Sequence, residues 1–200
     1  MNASRRYDST KRKAKAEATR QAILEAFRDQ LLEPGRDSLS PTDAATQAGC
    51  SVRTVHSYFP TTESRVTALA EWLEDQFYTE PLPLPTSVAD LHEHYRRIHL
   101  SAQTSPLAIA FITQAGQEWQ DVRRARRADR LQAVRDSVEA VGAPDGATAQ
   151  ATAMLMALAG AEITMIMREQ FAIDDEVTLD AITHTVDLIV ADLERAAQGD

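Results

Sequence analysis

The sequence predicts an all-α fold of about nine helices, and three observations predict it. Apolar residues recur three and four positions apart through nearly every segment, the spacing that lines one face of a helix. The strict apolar–polar alternation of a half-buried strand is absent. Proline and glycine, which punctuate helices, fall where they leave helix-length stretches between them.

The elements follow in order. A first helix is expected over about 14–32, with Ile23, Leu24, Phe27 and Leu31 on one stripe and Glu33-Pro34-Gly35 ending it. A short helix over about 41–48 has Ser40 as its N-cap, Pro41 at the first helical position and Asp43 at the capping-box position. Gly49 closes it, because glycine turns sharply at low cost. The next helix runs from Val52 to about Phe59 and stops at Pro60. Thr61 caps a longer helix through about Tyr78, carrying Val66, Leu69, Leu73 and Phe77 along one face. Pro81-Leu82-Pro83-Leu84-Pro85 excludes helix and reads as a short stiff connection. Helices near 87–103, 106–118, 120–141, 147–171 and 175–197 complete the chain, punctuated by Pro106 and by the Pro144-Asp145-Gly146 turn. No internal repeat is visible.

Two hundred residues suffice for one or two domains with a real core. The composition, 44% hydrophobic and 26% charged, is that of a folded chain and not a disordered one. A single cysteine, Cys50, excludes an intrachain disulfide and a multi-cysteine zinc site, and suits a reducing, cytoplasmic setting. The charged N-terminus lacks the apolar core of a signal peptide. Residues 146–167 form the most apolar stretch, but Glu162 and the polar flanks argue for a buried helix over a membrane span, so no membrane partner is expected. The net charge of −9 is unevenly placed. Residues 1–60 hold 10 Lys/Arg against 7 Asp/Glu, whereas 61–200 hold 11 against 23. A local attraction for phosphate can therefore exist at the N-terminal end of an acidic chain.

The two short helices joined through Gly49 form a helix-turn-helix, a motif whose second helix lies in the DNA major groove. Ala45, Ala48, Val55 and Phe59 are the apolar positions that would lock these helices against the first. That leaves Arg53, Thr54, His56, Ser57 and Tyr58 for the outer faces. Arginine bridges guanine edges, threonine contacts a thymine methyl or a phosphate, and tyrosine donates to phosphate. The candidate DNA-contacting set is Ser40, Thr42, Ser51, Val52, Arg53, Thr54, His56, Ser57, Tyr58 and Thr62, with Lys11, Arg12 and Lys13 from a basic arm.

Taken together, Arg20, Ile23, Leu24 and Phe27, then Ser40 to Ala45, then Ala48 to Glu63, resemble the TetR-type one-component transcriptional regulators over about residues 17–75. Four positions depart from that pattern. Cys50 stands where valine is usual, Ala44 where isoleucine is usual and His56 where tyrosine is common. Thr62 replaces a common lysine, which removes a phosphate contact that the threonine hydroxyl and the positive helix end could partly supply. The resemblance implies a homodimer on near-palindromic double-stranded operator DNA, with half-sites roughly 34–36 Å apart. It also implies a basic disordered arm over 1–13, a helix-turn-helix domain over 14–60 and a helical ligand-binding and dimerisation domain over 61–200. A small-molecule effector is expected, and repression is the family's usual mode.

In the last helix Leu179, Ile182, Val186, Ile189 and Leu193 recur at spacings of 3, 4, 3 and 4, the seam of a coiled-coil-like contact. Ala157, Ala159, Gly160 and Ala161 make a small-residue patch beside which another helix could approach closely. Both are assigned to a dimer interface; the alternative is that the seam packs within one chain. For the effector pocket, His99, Gln103 and Gln114 are the polar candidates, and Phe111, Trp72, Trp119, Met154 and Met165 the apolar ones, pointing to an apolar or aromatic ligand. His92 and His94 point about 200° apart on a helix and cannot share a metal. No nucleophile elbow, phosphate loop or metalloprotease motif is present, so neither catalysis nor a cofactor is expected. Arg123, Arg124, Arg126, Arg127 and Arg130 read as a solvated, salt-bridged helix wrapped by charge. The rival to the regulator is an acidic all-helical protein-interaction module with a degenerate helix-turn-helix.

Overall fold

The structure, a computed structural model, describes residues 3–73, 76 and 82–199, with side chains from residue 10 onward except residue 126. Among these residues ten α-helices and no strand occur: α1 Ala3–Leu31, α2 Pro41–Gln47, α3 Val52–Tyr58, α4 Thr62–Leu73, α5 Leu91–Thr104, α6 Pro106–Thr113, α7 Gln117–Glu139, α8 Asp145–Leu158, α9 Glu162–Phe171 and α10 Asp175–Gln198. A 3-10 turn at Val88–Asp90 leads into α5. The all-α expectation is met. No single described helix is long and apolar enough to cross a membrane.

Two differences from the sequence reading have physical causes. α1 begins at Ala3, so residues 3–13 are helical where a disordered arm was expected. Lysine, arginine and alanine are strong helix formers, and no glycine or proline interrupts the chain before Pro34. The helix expected over 147–171 is broken into α8 and α9, bent by 65° at Ala159–Ala161, which includes Gly160. That break raises the count from nine to ten. α4 is described only to Leu73; Phe77, Tyr78 and Pro81 lie outside the described residues.

The chain divides into two compact units, one of Met1–Glu74 with Gln114–Val122 and the other of Asp75–Thr113 with Arg123–Asp200. In the first, Ile23, Leu24 and Phe27 of α1 are completely buried, as are Ala44, Val55, Val66, Leu69 and Leu73. Phe59, just past α3, meets Phe27 edge-on with ring centroids 5.9 Å apart. Trp72 and Trp119 both belong to this unit.

The second unit is a helical bundle. Leu91 and Tyr95 of α5, Val134 and Val138 of α7, Ala151 and Leu155 of α8, and Val186, Ile189 and Leu193 of α10 form one buried cluster. The buried Tyr95 hydroxyl donates to the Leu155 carbonyl at 2.6 Å, tying α5 to α8. The predicted seam of α10 therefore packs within the chain: Ile182, Val186, Ile189 and Leu193 are all buried, and Leu179 is half-buried. The period-3/4 pattern was sound, but such a pattern marks any helix buried along one stripe and does not say whose helix covers it.

Candidate nucleic-acid interface and ligand pocket

The helix-turn-helix is built from its caps inward. Ser40 precedes α2 in extended backbone, and its hydroxyl accepts from the Asp43 N–H at 3.3 Å. The reciprocal half of a capping box is supplied by another residue. Gln30, almost wholly buried at 1% exposure, accepts from the Ser40 N–H at 2.7 Å and donates to the Ser40 carbonyl at 3.2 Å. Asp43 pairs instead with Arg36 at 2.8 Å, which holds its carboxyl below the usual range. Asp29 of α1 accepts from Gln47 of α2 at 2.6 Å. The start and end of α2 are thus both fastened to α1.

Gly49 turns the chain with φ +64°, a conformation costly to any side chain. Ser51 then caps α3, its hydroxyl accepting from the Thr54 N–H at 3.1 Å and bonding the Thr54 hydroxyl at 2.8 Å. Val55 is fully buried, whereas Val52, Arg53, His56 and Ser57 are exposed and Thr54 and Tyr58 half-buried. One face of α3 is locked into the unit, and the other presents a guanidinium, an imidazole and a hydroxyl to solvent. Thr42, on α2, is exposed, as are Lys11, Arg12 and Lys13 on α1.

Two members of the sequence-derived set also serve the fold. The Tyr58 hydroxyl donates to the Ala16 carbonyl of α1 at 3.0 Å, so its proton is engaged within the protein. The Thr62 hydroxyl accepts from the Arg65 guanidinium at 2.8 Å. Arg65 itself is buried, donates also to the Phe59 carbonyl at 3.4 Å, and has an Nε without a partner. Thr61 and Ser64 form a reciprocal cap at the start of α4, each accepting from the other's backbone N–H at 3.0 Å. Arg20 lies 5.8 Å from the Phe59 ring centre.

The sequence-derived pocket residues scatter. Phe111 alone lines a recess in the second unit between α5, α6 and α7. His99 is completely buried and satisfied, with Nδ1 3.0 Å from the Thr164 hydroxyl and Nε2 2.9 Å from the Leu158 carbonyl. Burial lowers its pKa. Gln103 donates to the Asp175 carbonyl at 2.7 Å, joining α5 to the start of α10. Met165 is buried on α9, and Met154 is 44% exposed on α8. Trp72 lies under Arg28, 5.9 Å from ring centre to guanidinium, and Trp119 and Gln114 also belong to the first unit. Of the small-residue patch, Ala157 is exposed, while Ala159 and Ala161 line the recess.

The charged side of that recess comes from residues outside the sequence-derived pocket set. Arg123, Arg127 and Arg130 line it, and they stand at i, i+4 and i+7 of α7, one helical stripe. Arg124 points to solvent. The cluster does not simply wrap the helix as a solvated coat, and the 4–3 spacing was the available signal. Arg123 donates to the Phe111 carbonyl at 3.1 Å, and Arg127 pairs with Glu162 at the start of α9. His92 faces outward and bonds Asp187 at 2.9 Å. Among the described residues no group of three or more His, Cys, Asp or Glu side chains is placed to hold a metal ion.

No protein-family model matches the sequence, and no curated protein matches it. Solved structures share its fold, two of them as follows. Both are of NalD, described as the secondary repressor of the MexAB-OprM multidrug efflux pump in Pseudomonas aeruginosa. One superposes with a TM-score of 0.53 and the other, of the native protein, with 0.54. In each case identity is 16%, and the match covers 86% of this chain and 95% of the neighbour. The all-helical fold of this chain is the one on which those repressors are built.

Proposed function

We propose that the protein is a ligand-responsive transcriptional regulator of the TetR type. It acts as a repressor, binds a near-palindromic operator as a homodimer, and is released by a small effector in its second unit. The observation that carries this reading is the two-faced α3. Val55 and the adjoining Phe59 are buried, while Val52, Arg53, His56 and Ser57 stand in solvent on a helix whose cap and turn are fixed. The fold shared with NalD supports the same conclusion. The exposed Lys11, Arg12 and Lys13 of α1 supply positive charge for phosphate, and do so from a helix and not a floppy arm.

Because the predicted α10 seam is core, the dimer is assigned to the opposite face of the same helix. Val177 and Leu188 of α10 are 56% and 55% exposed, and Met154 of α8 and Leu188 border one groove. Apolar side chains left in water on two neighbouring helices are what a second copy would cover. An effector that binds better when the two α3 helices are wrongly spaced for the operator releases the DNA.

The test is selection of binding sequences from a random duplex pool at near-physiological salt, repeated with Arg53→Ala. A recovered near-palindrome, bound about 5- to 150-fold more weakly by R53A, is expected if Arg53 makes a bidentate base contact of about 1–3 kcal/mol. Recovery of no motif by a folded sample would favour the acidic protein-interaction module instead. The intramolecular use of the Tyr58 and Thr62 hydroxyls is the feature that makes that outcome worth testing.

A further inference from the structure

The recess between α5, α6 and α7 is partly open to solvent and encloses a cavity of about 60 Å³. Its walls divide into two chemistries. Ile98, Ala108, Phe111, Ile112, Ala159 and Ala161 make an apolar side, and Arg123, Arg127 and Arg130 make a cationic one. No carboxylate belongs to the lining. Within 4 Å of one of these guanidiniums stands Glu162, paired with Arg127.

We infer that this recess binds an amphipathic organic anion, an apolar or aromatic body carrying a carboxylate, sulfonate or phosphate that the Arg123–Arg127–Arg130 stripe receives. The inference rests on the regulator reading for its purpose and sharpens the effector from merely apolar to anionic. Burial disfavours the Arg123 charge most, the Glu162 carboxylate offsets part of that, and the neighbouring Arg127 charge disfavours it further. An anion entering the recess relieves both penalties, and guanidinium forks match the planar oxygens of a carboxylate. Ile98 and Phe111, buried to 5% and 6% exposure, offer the ligand body an apolar floor and not a hydrated one. A neutral ligand of the same shape gains only that floor. A cationic one meets the arginines. Because Glu162 opens α9, an anion that competes for Arg127 would loosen the α7–α9 contact.

The test uses isothermal titration calorimetry on the full chain without DNA. The probes are three apolar bodies (octyl, naphthyl and biphenyl), each carrying a carboxylate, an alcohol or an ammonium group. At least one carboxylate is expected to bind ten-fold or more tightly than its alcohol twin, with the ammonium twin weakest. Arg130→Gln and, separately, Arg123→Gln should collapse that preference, bringing the carboxylate's affinity down towards its alcohol twin's. Arg124→Gln, in solvent on the same helix, should leave the preference intact and controls for net charge. An alcohol or ammonium that binds as well as its carboxylate, or binding of no member of the panel, overturns the proposal. A preference surviving in both R130Q and R123Q overturns the assignment to this stripe. With no DNA in the cell, failure here leaves the operator selection unaffected, and failure to select an operator leaves the anion result standing.

Discussion

Replacing Gln30 with alanine should destabilise the first unit by about 2–3 kcal/mol. Gln30 is buried at 1% exposure and makes two hydrogen bonds to one residue, to the Ser40 N–H at 2.7 Å and the Ser40 carbonyl at 3.2 Å. Each such bond is worth about 1 kcal/mol net, and stranding a buried backbone donor adds about 1 kcal/mol more. The loss should be read by urea denaturation followed through tryptophan fluorescence, because both tryptophans lie in that unit. With a urea slope of about 1–2 kcal/mol per molar for a unit this small, the midpoint should fall by about 1–3 M. Gln30→Leu separates packing from hydrogen bonding, since it nearly preserves volume and loses both bonds. It should cost nearly as much as Q30A. If both variants stay within about 0.5 kcal/mol of the parent, the ordinary range for an indifferent surface change, the clasp does not hold α2 and the reasoning fails.

Other consequences can be measured alongside. Gly49→Ala meets open space, so its whole cost is backbone strain at φ +64° and should be about 1–2 kcal/mol by the same urea assay. Tyr95→Phe removes the buried hydroxyl that joins α5 to the Leu155 carbonyl and should cost about 1–2 kcal/mol, read from the thermal midpoint of the second unit by circular dichroism. Burial lowers His94 to about 4 from an ordinary 6.5, against the opposing pull of the Pro83 carbonyl. The folded form therefore resists a proton that the unfolded chain accepts. Stability from this group is complete above pH 6.5 and drains away as pH falls towards 4. His94→Gln should flatten the fall in urea midpoint between pH 7 and pH 5; an equally steep fall in the variant would count against His94 as its source. His99, lowered by burial as well, should leave a residual slope.

The local levels of the structure were legible in the residues. Ser40, Pro41, Gly49 and Ser51 specify where α2 and α3 begin and turn, because caps, a fixed φ and a left-handed turn are properties of one residue and its nearest neighbours. The buried face of Ile23, Leu24, Phe27, Val55 and Phe59 followed from spacing alone. Those features determine the all-α class, the helix-turn-helix and the outward side chains of α3. Tertiary structure decided matters that spacing leaves undetermined. The α10 stripe faces α5, α7 and α8 of its own chain, so Val177 and Leu188 are left outside. His99 and Gln103 spend their polar atoms on Leu158, Thr164 and Asp175, whereas three arginines classed as solvated line the recess. A periodic pattern reports that a face is covered or charged. Which partner covers it, and whether a polar atom is spent on the fold or left for a ligand, depends on residues 60 or more positions away, such as Leu155 for Tyr95 and Thr164 for His99.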